Sequence, residues 1–424
     1  MKKIAIIGLG YVGLPLAIEF SRKNFVLGFD VNNSRISSLN KGIDINNDLE
    51  RKELIYLKNK KKINFTFDHR LLKDFNFFII TVPTPVKKNN KPELKYIIQS
   101  TLTVAKYLKK GDFVIYESTV YPGTTEEICI PILENNSKMK LNKDFYVGYS
   151  PERLSPGSSN HGLKKIIKIT SGSNPYSSNI VDQLYKSIIT KGTYKASSIK
   201  VAEAAKVVEN VQRDINIAFV NELTLGLSKL NINTKEVLKA AETKWNFSKY
   251  QPGMVGGHCI AVDPYYLYNK FLLNGYKSLL IPSSRKINDY MPIFFAKQLI
   301  KILRKKFKTS IKKKKILLMG FAYKENSSDT RNTPIFVVYK YLVKFFNFVD
   351  IYDPLVSKKI TNLYFEIDVL DKINKKYDGI VMAVPHHKIL QYYLKNKSKF
   401  TKKNSVIIDI KYVLDTSDKR VVSF

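Results

Sequence analysis

The chain has 424 residues, 44% of them hydrophobic, which is too long for one ordinary core and predicts at least two domains with a segment joining them. Its only cysteines, Cys129 and Cys259, exclude a disulfide framework and a Cys-rich zinc site, fit a reducing cytoplasmic setting, and leave no metal site to expect. The formal charge of +35 would suit a nucleic-acid protein, but the lysines are scattered beside asparagines, as in KKNNKPELK and KNKSKFTKKN, so solvated faces explain them and a nucleic-acid partner is not expected.

The opening MKKIAIIGLGYVGLPLAIEF places lysines before an apolar run, yet glycines interrupt that run and no small-residue cleavage site follows, so it reads as strand, turn and helix rather than signal peptide. Apolar runs at Lys3 to Ile7 and Phe25 to Phe29 flank that helix in a β-α-β unit. Further runs at Phe77 to Val82, Phe113 to Tyr116 and Phe145 to Tyr149 predict a parallel sheet covered on both faces, and residues 1–195 form the first domain. From about Lys200 to Leu230 only Gly226 interrupts a series of strong helix formers, predicting one long helix. Loops with Pro252, Gly253, Gly256 and Gly257 follow, then helical sequence to about Phe307. Residues 196–307 thus read as a helical middle domain and the core of a homodimer. In 308–424 the runs KKKKILLMGFAY, FFNFVDIYDP, DGIVMAVP and SVIIDIK predict a second doubly wound domain without the glycine pattern of the first. The expected fold class is α/β, with two Rossmann-like doubly wound domains joined by a long central helix. No stretch reaches the roughly 18 apolar residues of a membrane span, and no membrane partner is expected.

Gly8, Gly10 and Gly13 form G-x-G-x-x-G after a strand, with Tyr11 and Val12 between the last two glycines. The first glycine permits a tight turn, the second lets a pyrophosphate approach the backbone, and the third lets the helix pack closely. Asp30 closes the next strand, placed to accept a ribose diol and to repel a 2′-phosphate, so NAD is the expected cofactor. Thr81, Pro83 and Thr84 in a proline-rich loop, and Ser118 and Thr119 after a later strand, outline a crevice on the same rim. Cys259 lies in Pro252-Gly253-Met254-Val255-Gly256-Gly257-His258-Cys259, where backbone donors lower a thiol pKa and later hold an oxyanion. Cys129, between Ile128 and Ile130, reads as a small buried hydrophobe.

With GGHCIAVDPYYL, PERLSPG and ETKWNF in this order, the chain resembles the family that includes UDP-glucose dehydrogenase, and more closely its branch acting on UDP-N-acetylhexosamines. The resemblance runs from IAIIGLGYVGLPLA to VIIDIK. It implies that a C6 alcohol is oxidised with NAD, the aldehyde is captured on Cys259, and a thioester forms and is hydrolysed. It also implies that Lys206 and Asn210, four apart on one helix face, hold an oxyanion and a water, and that Asp263 activates water, although a turn-capping Asp before Pro264 is the competing reading. By the same resemblance Glu152 is a general base or a water-positioning group, with Thr119 in the catalytic set and Arg153, Gly256 and Gly257 at the sugar. Lys324 reaches the substrate and Arg331 the cofactor. Where the UDP-glucose branch has an acid four residues after Glu152, this chain has Pro156. Trp245, the only tryptophan, packs against sugar or uracil or else serves the core. Substrates that fit are UDP-N-acetylglucosamine or its galacto epimer, with UDP-glucose and UDP-N-acetylmannosamine as rivals. A two-electron hydroxyacid-type dehydrogenase is the alternative that needs no cysteine.

Overall fold

A computed structural model of the chain describes residues 2–44, 51–153, 163–307 and 310–424. The first sheet contains β1 (Lys3–Ile7), β2 (Phe25–Phe29), β3 (Ile63–Thr66), β4 (Phe77–Ile80), β5 (Phe113–Tyr116), β6 (Tyr146–Tyr149), β7 (Lys168–Gly172) and β8 (Thr193–Lys195). Their order is β3-β2-β1-β4-β5-β6-β7-β8, so the direction of winding reverses between β1 and β4. Such a reversal opens a crevice at the carboxyl ends of the strands. Strands β3 to β6 are parallel, and β7 turns antiparallel to β6.

Side chains alternate across this sheet with the period of a strand. Ile4, Ile6, Phe77 and Ile79 enter one core with Leu14 and Phe20; Ala5, Ile7, Phe78 and Ile80 enter the other with Val104 and Val120. Burying one such large side chain contributes about 1.5–3 kcal/mol, which is why both faces of β1 and β4 are apolar in sequence.

The second sheet contains β9 (Lys315–Met319), β10 (Phe348–Tyr352), β11 (Val369–Leu370), β12 (Tyr377–Met382), β13 (Thr401–Asp409) and β14 (Val421–Val422), in the order β11-β10-β9-β12-β13-β14. All its pairings are parallel. Ile316 and Leu318 pack with Leu299 and Leu303 of the helix Leu280–Phe307, and Leu317 and Met319 face the opposite core. The long helix runs Ile199–Leu227. By compactness the chain divides into one unit of residues 1–209 with 265–277 and another of 210–264 with 278–424.

The fold is thus the doubly wound α/β pair that the sequence predicts, with differences in detail. The apolar run Phe77 to Val82 ends as a strand at Ile80, leaving Thr81 and Val82 to the rim. Strands β3, β7, β8, β11 and β14 lie outside the predicted runs, because INFT, KITSG and TYK are short and partly polar and β11 and β14 span two residues each. Among the described residues no helix is long and apolar enough to cross a membrane.

Candidate active site

The first unit carries the glycine turn. Gly8 adopts φ +95°, and a Cβ on Gly13 would fall 1.9 Å from the Gly8 carbonyl oxygen and 2.4 Å from Thr81 Oγ1. Only glycine lets the helix Gly13–Ser21 start so close to β1. A Cβ on Gly10 would meet nothing within 4 Å, so open space faces the backbone at the amino end of that helix. The Thr81 hydroxyl points at the carbonyls of Ile7 and Gly8, at 3.0 and 2.7 Å, and so braces the turn itself. Asp30 accepts the Leu9 N–H at 2.8 Å and the Asn32 N–H at 2.9 Å, one on each oxygen. Each oxygen keeps a lone pair for a ribose hydroxyl. Arg35, which belongs to no sequence motif, donates to the Leu9 carbonyl at 3.0 Å and pairs with Asp44 at 2.7 Å behind the same turn. The open space at Gly10, the tight turn and the fixed carboxylate fit a dinucleotide.

Side-chain bonds stitch the two rim loops together. Ser118 Oγ donates to the Val82 carbonyl at 2.7 Å, and Thr84 Oγ1 to the Thr119 carbonyl at 2.5 Å, on either side of Pro83. Buried Tyr266 adds a hydrogen bond from its hydroxyl to the Pro85 carbonyl at 3.1 Å. Lys206, 5% exposed, lies in the helix Ile199–Leu227 three residues beyond Glu203. Glu203 accepts the N–H groups of Gly123 and Thr125 at 2.6 and 2.9 Å and the Thr125 hydroxyl at 2.7 Å, tying this helix to the segment that follows Ser118 and Thr119. Half-buried Glu152 follows β6. The Arg153 guanidinium is engaged by Glu209 at 2.8 Å and the Ile167 carbonyl at 2.7 Å. Pro156 lies outside the described residues.

Burial pushes the Glu203 carboxyl up to about 7, against the downward pull of its hydrogen bonds to Thr125 and Gly123. A raised carboxylate pKa means the folded state holds its proton after the unfolded chain has released it. Its contribution is therefore present below 4.5 and lost as the pH rises to about 7. The loss amounts to roughly 3 kcal/mol. Glu203→Gln does not titrate, so its stability relative to the parent should improve by that amount between pH 4.5 and pH 8 in denaturant melts. A pH-independent difference between the two proteins would show that Glu203 ionises normally.

The second unit carries the cysteine. Cys259 is half-buried, and its carbonyl accepts the N–H groups of Val262 at 3.0 Å and Asp263 at 2.8 Å. Asp263 opens the helix Asp263–Leu273, is 2% exposed, and accepts a hydrogen bond from Asn210 Nδ2 at 2.5 Å. Asn210 is itself 5% exposed. Asp263 thus combines a place in the first helical turn with a buried tie to the predicted Asn210.

The glycines beside Cys259 serve close packing. A Cβ on Gly256 would meet Pro334 Cδ at 2.5 Å, and one on Gly257, at φ +80°, would meet the Tyr323 ring at 2.6 Å. Asn332 Nδ2 donates to the Gly257 carbonyl at 3.2 Å, and the Asn332 main-chain carbonyl accepts the Gly257 N–H at 3.3 Å. The cysteine turn is therefore seated on the segment bearing Lys324 and Arg331. Arg331 grips Asp329 through Nε at 3.0 Å and Nη2 at 2.7 Å, and Nη2 lies 3.4 Å from His258 Nε2. Burial disfavours the Asp329 anion, but the Arg331 bonds prevail and hold its pKa below the usual carboxylate range. Asp353 anchors the same segment by accepting the N–H groups of Phe321 and Ala322 at 2.7 and 3.1 Å. The Lys324 ammonium sits 5.7 Å from the Tyr323 ring centre.

One expectation needs correcting. Trp245 is 91% exposed and has no core role; Lys244 and Asn246, on either side of it, are polar and exposed. Cys129 is fully buried as the sequence predicts, and burial pushes its thiol up to about 12. Lys411, which no sequence motif marks, is half-buried, with its ammonium lowered in pKa by burial and 2.5 Å from where a Gly253 Cβ would stand. Glu117 and Lys168, likewise unmarked by any motif, form a buried ion pair at 2.6 Å. Glu117 alone carries a signal legible in the sequence, a single charge directly after the apolar run FVIY, whereas Lys168 opens the partly polar KITSG and Lys411 follows Asp409.

A dinucleotide-binding doubly wound unit, coupled in one chain to a second doubly wound unit with a cysteine on a packed glycine turn, defines a nucleotide-dependent dehydrogenase. Residues 2–189 match the NAD binding domain of the UDP-glucose/GDP-mannose dehydrogenase family, 200–290 its central domain and 317–416 its UDP binding domain. The chain belongs to this family and is an NAD-dependent UDP-sugar dehydrogenase. It is 47% identical to a UDP-N-acetyl-D-glucosamine 6-dehydrogenase of Pseudomonas aeruginosa, over 97% of each chain. It is 48% identical to the Salmonella typhi protein of the same name, over 99% of this chain and 98% of that one. Among solved structures, UDP-D-ManNAc dehydrogenase from Pyrococcus horikoshii superposes with TM-score 0.87 at 32% identity, covering 97% of this chain and 96% of that one.

Proposed function

We propose that the chain oxidises the C6 hydroxymethyl group of UDP-N-acetylglucosamine or UDP-N-acetylgalactosamine to the carboxylate, through a thioester on Cys259, to supply a surface polysaccharide. The observation that carries this reading is the seating of Cys259 on a packed glycine turn, with Asp263 four residues on, buried and bonded to Asn210. Identity of 47% and 48% to two relatives named as UDP-N-acetyl-D-glucosamine 6-dehydrogenases supports the substrate class.

The turn Gly8 to Gly13, with Tyr11 and Val12, would hold the NAD pyrophosphate, and Asp30 its ribose; Thr81, Pro83, Thr84, Ser118, Thr119 and Arg331 complete the cofactor set. Held at that turn, NAD would supply the hydride acceptor for both oxidations at C6, the alcohol proton of the first passing to water. The Cys259 thiolate adds to the aldehyde carbon as a thiohemiacetal, and loss of the second hydride with the hydroxyl proton leaves the thioester. Lys206 and Asn210 stabilise the oxyanions at that carbon. Water, activated through Asp263 or Glu152, attacks the thioester; its oxygen enters the acid as the C–S bond breaks and the thiol is restored. Lys324, Arg153, Gly256 and Gly257 hold the sugar nucleotide. Division into residues 1–195, 196–307 and 308–424, a homodimer through the middle part, and a cytoplasmic location belong to the same reading.

The test is the NADH released per UDP-sugar consumed, with both N-acetylhexosamine epimers, UDP-glucose and UDP-N-acetylmannosamine compared and the product identified by mass. Two NADH per sugar and a uronic acid are expected. One NADH per sugar would remove Cys259 from the mechanism, and preference for UDP-N-acetylmannosamine would reassign the substrate.

A further inference from the structure

We propose that the buried Glu117–Lys168 pair is a positioning device for Glu152. Glu117 follows β5 and Lys168 opens β7, both inside the first unit and both buried. Lys168 Nζ donates to Glu117 Oε2 at 2.6 Å, to the Pro151 carbonyl at 2.9 Å and to the Ser150 carbonyl at 3.2 Å. An ammonium has three protons, and these acceptors match them in number, so its orientation is set. The Tyr185 hydroxyl donates to the other oxygen of Glu117, and the Tyr185 ring centre lies 5.1 Å from Nζ.

Ser150 and Pro151 are the residues immediately before Glu152 and follow the end of the β6–β7 ladder, Tyr149 opposite Ser171; Ser150 is still held by its N–H to the Tyr116 carbonyl at 2.9 Å and its hydroxyl to the Ile169 carbonyl at 2.6 Å, whereas Pro151 has no N–H to offer. From there the Lys168 bonds to their carbonyls fix how the chain leaves the sheet. A small pocket, with room for about one water molecule, brings the parts together, lined by Val12 of the glycine turn, Leu16, Glu117, Glu152, Arg153 and Lys168. A buried ion pair gains little stability over an apolar pair of the same volume, which leaves its geometry as the reason to keep it here. Burial raises the Glu117 pKa and Lys168 opposes the rise, in keeping with a pair in which each charge depends on the other. This inference rests on the reading of Glu152 as base or water-positioning group given above.

The experiment uses the full-length enzyme with Lys168→Met and with the double variant Glu117→Gln/Lys168→Met, which removes both charges and so spares the fold an unpaired one. A crystal structure of the double variant should show the Ser150–Glu152 backbone displaced by about 1 Å, a misplacement that costs on the order of 10²-fold in kcat. KM for NAD should stay within about twofold, since the effect is on the chemical step. Glu152 unmoved, or moved with kcat per folded enzyme unchanged, overturns the proposal and leaves the pair a structural one. If the parent enzyme oxidises none of the UDP-sugars, the functional reading fails on its own. The position of Glu152 in the double variant then decides this inference alone.

Discussion

Cys259→Ser is expected to lower carboxylate formation by roughly 10³-fold or more, because removing a covalent nucleophile abolishes the intermediate rather than weakening a contact. The substitution exchanges sulfur for oxygen in a half-buried side chain, while the bonds that shape this turn, from Val262 and Asp263 N–H to the Cys259 carbonyl, are main-chain and survive it. What is lost is nucleophilicity at neutral pH, where a serine hydroxyl is un-ionised and its alkoxide is far less accessible than a thiolate. The first oxidation needs no thiol. NADH should therefore stop at no more than one per sugar, with an aldehyde that a hydrazine reagent traps and mass spectrometry identifies. NAD affinity should be unchanged, since Gly8, Gly10, Gly13 and Asp30 belong to the other compact unit. An unaltered carboxylate yield would remove the covalent mechanism while leaving the family assignment intact.

The parts of this molecule that sequence reveals are those where physics leaves a periodic or compositional mark. β1 and β4 are buried on both faces, so they appear as unbroken apolar runs, and Gly13 is required by a backbone oxygen 1.9 Å from where its Cβ would be. The long helix is visible because no glycine or proline interrupts it before Gly226. Edge strands such as β8, with the sequence TYK, bury little and leave no such mark. Pairings between distant residues are equally silent. Glu117 meets Lys168 across 51 residues, and Asn210 meets Asp263 across 53, and no local pattern encodes either meeting. The roles of Cys259, Lys206 and Asp263 came from the resemblance, since a half-buried cysteine, a lysine on a helix and an aspartate before a proline each have ordinary structural readings. Trp245 shows the opposite failure: rarity left a core role open, and the residue stands in solvent, which removes that role.

Gly13→Ala and Gly10→Ala should fail in different ways, and the contrast tests the cofactor site directly. At Gly13 the added methyl would overlap the Gly8 carbonyl oxygen at 1.9 Å and Thr81 Oγ1 at 2.4 Å. The threonine can rotate at the cost of its bonds to Ile7 and Gly8, but the carbonyl is main chain at the end of β1 and can yield only if the turn opens. The variant should lose about 1–3 kcal/mol of stability. It should also lose NAD binding, because the N–H groups of the turn no longer converge. At Gly10 the methyl would meet nothing within 4 Å, so the folded protein should be as stable as the parent. The same methyl would stand in the space through which a pyrophosphate reaches the backbone, and NAD affinity should fall by about tenfold or more, an effect of roughly 1.4 kcal/mol. Thermal melts with and without NAD, together with calorimetric titration, separate the outcomes. A Gly10→Ala protein that binds NAD as the parent does would mean that the pyrophosphate does not lie against this turn, and the fit argued from Gly8, Gly10 and Asp30 would have to be abandoned.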